Sequence, residues 1–340
     1  MENFQQILLR LTRFALLSLV IPGMLLTACG KPKQKKDTPE GEEQVAANVA
    51  ETPTSGVMQV GFDESLRPIM RQIIKSFELN YPKAKIIPVY KPEGELIMDL
   101  GNDSLRLIFI GRELSEAEEK PIRAAKIEPR TSLIGKDAIA VIVNPKNPLQ
   151  NLSEEQLGKI MRGDIRTWKG VDEKGTDEEI NVVFDDPQSG LVRALQKRYL
   201  EEGDSLSPNA FSAGSHDAVI DYVEQAPNAI GFLGVAWVSD RDHPKVREYL
   251  GRISLARMLT PDTSDLPGVY VQPYQNEIIL DRYPLTRRIY ACSREHYTGL
   301  GTGFVAFAAG ELGQRILLKA GLVPEYMPPR FIILPEEDKE

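Results

Sequence analysis

The chain has 340 residues, with 49 acidic against 41 basic side chains and a formal net charge of −8. That balance excludes nucleic acid and an anionic membrane surface as partners of the folded part, since either calls for a basic face. A small anion stays open, because it responds only to the field of its own pocket.

At the amino terminus, Arg10 and Arg13 precede the apolar run Phe14 to Leu26. The run is too short to span a bilayer at about 20 residues, and Leu26-Thr27-Ala28-Cys29 follows it directly. This is a lipobox. The small residues ahead of Cys29 admit a signal peptidase, and the thiol carries the diacylglyceryl group that anchors the mature chain. Two acyl chains hold stably where one would be marginal. The expectation is a bacterial lipoprotein with a signal peptide over 1–28, held at a cell membrane and facing the periplasm or the outside. Residues 29–56 are rich in Lys, Glu, Pro, Thr and Ala and carry too little apolar surface to offset their ordering entropy, so they read as a disordered tether. Once Cys29 is acylated only Cys292 is left, and no intrachain disulfide can form. Cys292 falls in a strand-like run, Arg288 to Ser293, and reads as a buried small hydrophobe.

After the tether the composition becomes that of a folded protein with a sizeable core. Val57 to Gly61 reads as a strand. Leu66, Ile69, Met70, Ile73, Ile74 and Phe77 then recur at helical spacing up to Asn80, with Ser65 as candidate cap and Pro68 in the first turn, where a missing N–H costs nothing. Lys85 to Tyr90 and Leu105 to Ile110 are strands around a small helix at Glu95 to Leu100, and Ser115 with Glu118 forms a capping box. Ile139 to Val143 is a strand, Ser153 with Gln156 caps a helix to about Arg162, Ile180 to Phe184 is a strand, Ser215 to Glu224 a helix and Ala229 to Leu233 a strand. This β-α-β alternation implies α/β architecture with mostly parallel sheets covered by helices, and ligands at the carboxyl ends of strands. Loops at Phe62 to Ser65, Gly111 to Ser115 and Asp185 to Gly190 occupy that position.

The last of these carries the most chemistry. A turn of Asp185-Asp-Pro-Gln188 hands a β-branched strand to a helix that starts at Ser189-Gly190. The first free N–H groups of such a helix point outward and favour an anion, although a Ser189 cap alone would serve the same turn.

Segments Arg112 to Ser115 (RELS), Leu157 to Trp168 (LGKIMRGDIRTW), Ser189-Gly190, Pro227 to Phe232 (PNAIGF), Tyr283 to Arg287 (YPLTR) and Gly313 to Pro324 (GQRILLKAGLVP) follow one another in order. Together they resemble the phosphate-binding subunits of ABC importers, the PstS family of periplasmic binding proteins. The resemblance implies a two-lobed type II binding protein with its ligand between the lobes. It divides the chain into lobe one (57–144), lobe two (145–280), a return strand and helix completing lobe one (281–335) and a tail (336–340). It implies inorganic phosphate or a related oxyanion as ligand, an ABC permease as partner, a monomer, and no cofactor or metal. The site transfers with changes. The family's anion-gripping Arg falls at Asp185, its Thr at Leu191 and its lobe-one Asp at about Gly111, next to Arg112. The expectation is therefore an exchanged pair, Arg112 above the anion and Asp185 below it, with Ser65, Ser189 and Gly190 donating and Asp63, Asp137 and Arg193 nearby. An ionised carboxylate there accepts from a protonated phosphate and repels sulfate.

Other readings of the same fold are another oxyanion, or a sensor or protein-interaction lipoprotein. Catalysis is disfavoured because His216, His243 and His296 show no metal spacing and no nucleophile elbow surrounds Ser189. Trp168 reads as a packing residue.

Overall fold

The first apolar run becomes strand β1 (Gly56–Asp63), alternately buried and exposed at its start and wholly buried at its end. The computed structural model describes residues 51–201 and 203–326. The lipobox, nearly all of the tether and the tail lie outside the described residues. A single 3-10 turn (Glu64–Leu66) separates β1 from helix α1 (Arg67–Asn80). Asp63 caps that turn, accepting from the Ser65 amide, so the cap is Asp63 and not Ser65. The apolar stripe expected for α1 is the one it buries, with Ile69, Met70, Ile73, Ile74 and Phe77 turned inward.

Strand β2 (Ala84–Lys91), helix α2 (Glu93–Gly101) and strand β3 (Leu107–Ile110) follow. The Ser115 and Glu118 capping box opens α3 (Glu116–Ala124). Strand β4 (Arg130–Val143) is far longer than the apolar stretch that predicts it. Beyond it come α4 (Glu154–Arg162), opened by the Ser153 and Gln156 box, and strand β5 (Asn181–Phe184). Then α5 (Gly190–Tyr199) is capped by Ser189, which accepts from the Val192 amide at 3.2 Å. Strand β6 (Ala210–Ser212), α6 (His216–Gln225), β7 (Ala229–Gly234) and α7 (Pro244–Arg252) lead to the return strand β8 (Thr286–Ser293) and to α8 (Leu300–Ala309) and α9 (Glu311–Lys319).

These strands form one sheet in the order β2-β1-β3-β8-β4-β7-β5-β6, with two short strands added against β4. The expected parallel pairing holds at both flanks, where β1 lies between β2 and β3 and β5 between β6 and β7. At the centre β3, β8, β4 and β7 pair antiparallel, because β4 carries the chain out of one half of the sheet and β8 brings it back. Residues Arg130 to Ala138 of β4 face β8, and Ile139 to Val143 face β7. The exchange of partners thus falls inside the strand, some residues ahead of the boundary read at Asn144.

Both halves share one large apolar cluster, and a smaller one lies under α2 and α3, where Cys292 is buried as expected. Trp168 is buried, with its indole N–H donating to the Asn228 carbonyl at 3.0 Å, a packing role. In the first half Phe304 sits edge-on to Phe77 and Phe109 at ring separations of 5.2 and 5.6 Å, and Phe62 stacks on Phe109 at 5.2 Å. This aromatic cluster fixes the end of β1, one residue before Asp63. Phe304→Ala is expected to lower the unfolding free energy by about 3 to 5 kcal/mol, through lost burial and an unfilled cavity. A urea titration followed by fluorescence measures it.

Candidate ligand site

The carboxyl ends of β1, β3 and β5 and the first turns of α2, α5 and α6 converge where β4 changes partners. At the centre is Arg287 of β8, which pairs in register with Asp137 of β4. Its Nε and Nη2 donate to Asp137 Oδ2 at 2.9 and 2.7 Å, and Nη2 also donates to Ser65 Oγ at 2.5 Å. The remaining nitrogen, Nη1, is buried without a partner. A side chain on Gly111 would place its Cβ 3.1 Å from Nη1, so the glycine keeps that nitrogen open.

Hydrogen bonds join the two halves. Asp63 accepts from the Ser65 amide and hydroxyl through Oδ1, and from the Gly190 amide at 3.2 Å through Oδ2. The Gly94 amide donates to the Gln188 carbonyl at 3.2 Å, and the Trp237 indole donates to the Ser65 carbonyl at 3.1 Å. At Gly190 a Cβ would stand 2.7 Å from Glu93 Oε2 and 2.9 Å from Asp63 Oδ2, so only glycine fits between the two carboxylates. A cavity of about 670 Å³ opens beside them, lined among others by Glu93, Gly111, Gly190, Arg193 and Arg287.

Of the residues singled out in the sequence, Asp63, Ser65, Asp137, Asp185, Ser189 and Gly190 are all buried here. Arg112 and Arg193 stand at the rim. Arg112 lines the cavity but its nitrogens are engaged, Nε donating to Glu93 at 2.8 Å and the two terminal nitrogens to Glu118 at 2.8 Å each. Arg193 lies 3.8 Å from Glu93 and 3.5 Å from Glu118. Asp185 lies 3.4 Å from His216 Nδ1, and the His216 ring stacks on Trp237 at 4.8 Å. Sequence reasoning passed over four residues: Arg287, Glu93, His216 and Trp237. Arg287 was inside a quoted motif, and Glu93 opens a helix behind Pro92. His216 follows the cap Ser215, but nothing local marks a lone histidine as part of a site.

A profile of the family described as "PBP superfamily domain" matches residues 47–311. The phosphate-binding protein PstS of Bacillus subtilis is 23% identical over 308 residues, covering 88% of this chain and 90% of that protein. Among solved structures, a substrate-binding protein from Clostridium perfringens with bound phosphate superimposes with a TM-score of 0.66 at 22% identity, over 79% of this chain and 99% of that one. An ABC-type phosphate transport receptor from Vibrio cholerae gives a TM-score of 0.59 at 19% identity, over 79% and 100%. At these identities the superpositions carry the fold, which is that of the type II binding proteins.

The cleft's electrostatics follow from burial. Burial raises the carboxyl of Glu93, assisted by Asp63 and opposed by Arg112 and Arg193. Burial also raises Asp137, against the pull of Arg287. Asp185 is pushed up from 3.8 to about 6 by burial, despite a hydrogen bond from Ser189, and burial drives His216 down to about 3, which leaves it neutral. At the rim, the Arg112 guanidinium holds Glu118 at about 2. A carboxyl raised by folding contributes stability at low pH that is lost as pH rises through its folded value. For Asp185 that window runs from 3.8 to about 6, and Glu93 and Asp137 act in the same direction. His216, driven down, acts in the opposite direction as pH falls from 6.5 towards about 3, so the parent's own melt carries both slopes and the comparison with an Asp185 variant isolates the carboxyl. Asp185→Asn is expected to gain on the parent at about pH 7.5 by on the order of 1 to 3 kcal/mol, and to lose that gain towards pH ~4. Scanning calorimetry across this range checks both.

Proposed function

The chain belongs to the PBP superfamily, and on that footing we propose that it is an extracytoplasmic solute-binding lipoprotein that captures inorganic phosphate for an ABC importer. The observation that carries this reading is Arg287. It is a buried guanidinium with one nitrogen unpartnered, aligned by Asp137, next to the Ser65 hydroxyl and across from the first turn of α5. A planar cation fixed by a carboxylate is well suited to an oxyanion, and a helix start adds oriented amides. The anion grip thus moves from Arg112 to Arg287. Micromolar affinity needs roughly 8 kcal/mol net, and charge-assisted hydrogen bonds contribute on the order of 1.5 to 3 kcal/mol each, so a handful suffices after costs. No step in this reading breaks a covalent bond, and no metal takes part. The lipobox at Cys29 supplies the anchor and the net negative charge keeps the folded part off anionic lipid. Delivery to a permease completes the role.

Isothermal titration of the full chain in detergent tests it, with phosphate, sulfate and molybdate as ligands. Phosphate is expected to bind and sulfate not; no heat with phosphate overturns the reading. Arg287→Gln is expected to weaken phosphate by more than about a hundredfold, because it leaves Asp137 as an unpaired buried charge and removes the grip. Arg112→Ala is expected to cost less than about tenfold, since that guanidinium is occupied by Glu93 and Glu118. Separately, Cys29→Ser is expected to move the protein out of the membrane fraction, which an immunoblot of fractionated cells reads.

A further inference from the structure

Among the described residues the cleft holds four buried carboxylates, on Asp63, Glu93, Asp137 and Asp185, against the buried guanidinium of Arg287; the other buried arginine, Arg294, donates to the Leu100 and Gly101 carbonyls instead. Asp137 already neutralises Arg287, and Arg112 at the rim neutralises Glu93. Asp63 and Asp185 are left without a cationic partner, so the seat opposes a dianion.

The unsatisfied atoms point the same way. Both oxygens of Asp63 and of Glu93 accept hydrogen bonds, and the Ser65 and Ser189 hydroxyls are engaged. In the cleft's second half, Asp185 Oδ1 and both ring nitrogens of His216 have no hydrogen-bond partner, although both side chains are almost wholly buried. Arg287, whose charge is felt at His216, also has its Nη1 without a partner. His216 Nδ1 lies 3.4 Å from Asp185 Oδ2, near enough for its proton to face the carboxylate on a small adjustment. That tautomer leaves Nε2 as an acceptor. The unfilled inventory is then three acceptors, Asp185 Oδ1 and His216 Nε2 in the second half and Asp137 Oδ1 beside Arg287, and one donor, Arg287 Nη1.

We propose that Asp185 and His216 form the second half's wall of the ligand site, and that they make it select the singly charged, doubly protonated form of its oxyacid, dihydrogen phosphate, over the dianion. This rests on the phosphate reading above. Dihydrogen phosphate brings two O–H donors for Asp185 and His216, unprotonated oxygens for Arg287, and the smaller charge against Asp63. Hydrogen phosphate has one proton to give and one more charge to be repelled. The groups around the pair are accounted for. Asp63, Arg287, Arg67 and Asp217 act on His216, and Ser189, Asp186 and Glu64 neighbour Asp185. Burial outweighs them at His216 and keeps the ring neutral at the pH values at which the ligand titrates.

The test is isothermal titration of phosphate into the full chain between about pH 5.5 and about pH 8.5. Affinity is expected to rise by about tenfold or more from the alkaline to the acid end, following the monoanion's share of the ligand. Asp185→Asn is expected to bind more tightly than the parent at about pH 8.5 and to shrink the pH dependence to about threefold or less, because the repulsion on the second charge is gone. His216→Phe keeps an aromatic ring on Trp237 and is expected to weaken binding by about tenfold at every pH. Circular dichroism melts of both variants without ligand establish that they are folded. Affinity that is flat or rises with pH leaves phosphate binding standing and overturns the selection of the monoanion. A pH dependence unchanged in Asp185→Asn, or full affinity in His216→Phe, overturns the assignment of that residue. Absence of binding at any pH removes the phosphate reading and this inference with it.

Discussion

The pairing of Arg287 with Asp137 is the interaction on which the rest of this structure turns. The two residues face each other across β8 and β4, and two residues beyond Asp137, at Ile139, the strand β4 takes β7 as its neighbour in place of β8. The ion pair therefore sits where the sheet passes from one half of the molecule to the other. A buried pair of this kind is seldom a net source of stability, because removing both charges from water costs about as much as their attraction returns. What it provides here is position. Two of three guanidinium nitrogens are tied to one carboxylate oxygen and to Ser65, and the third is held in one direction.

From this fixed point the neighbouring turns take their places. Asp63 can reach the first amide of α5 because Phe62, one residue earlier, is held in the aromatic cluster with Phe109 and Phe304. The carboxylate then fills the place at a helix start that the turn's composition suggests for an external anion. Gly190 is compatible with that contact only for want of a side chain, since Glu93 and Asp63 both crowd the space a Cβ would take. The protein thus satisfies part of its anion-seeking backbone with its own acid, and in doing so latches one half of the cleft to the other.

How far this was legible in the sequence varied with the range of the interaction. Helix α1, the Ser115 and Ser153 capping boxes and the Ser189 cap depend on residues within one or two turns, and their patterns led directly to the elements. Strand β4 was seen only in its apolar half, since Arg130 to Lys136 mixes charged, polar and glycine residues that become a strand through pairing with β8. Arg287 was hidden for a related reason. A charged residue in a strand reads as solvent-facing until its register partner is known, and Asp137 is 150 residues away. The shift of cap from Ser65 to Asp63 is local, since Asp63 accepts from the amide two residues on; the bond of its other oxygen to Gly190 across the cleft is the part that depends on distance.

Set against the arginine that the family resemblance leads one to expect at this turn, Asp185 has a meaning in this setting. An arginine opposite Arg287 would make the cleft strongly attractive to any oxyanion of suitable size. With an aspartate and a neutral histidine in its place, Coulomb attraction contributes little net, and hydrogen-bond complementarity has to decide what stays bound. Discrimination of that kind is sharp, since a ligand with one proton too few leaves a buried acceptor unmet as well as adding a charge. Asp185 shares its environment with His216, and burial moves the two in opposite directions, raising the carboxyl to about 6 and lowering the imidazole to about 3. A wall built from such a pair reads protons, and the guanidinium held by Asp137 supplies the remaining contact by direction more than by charge.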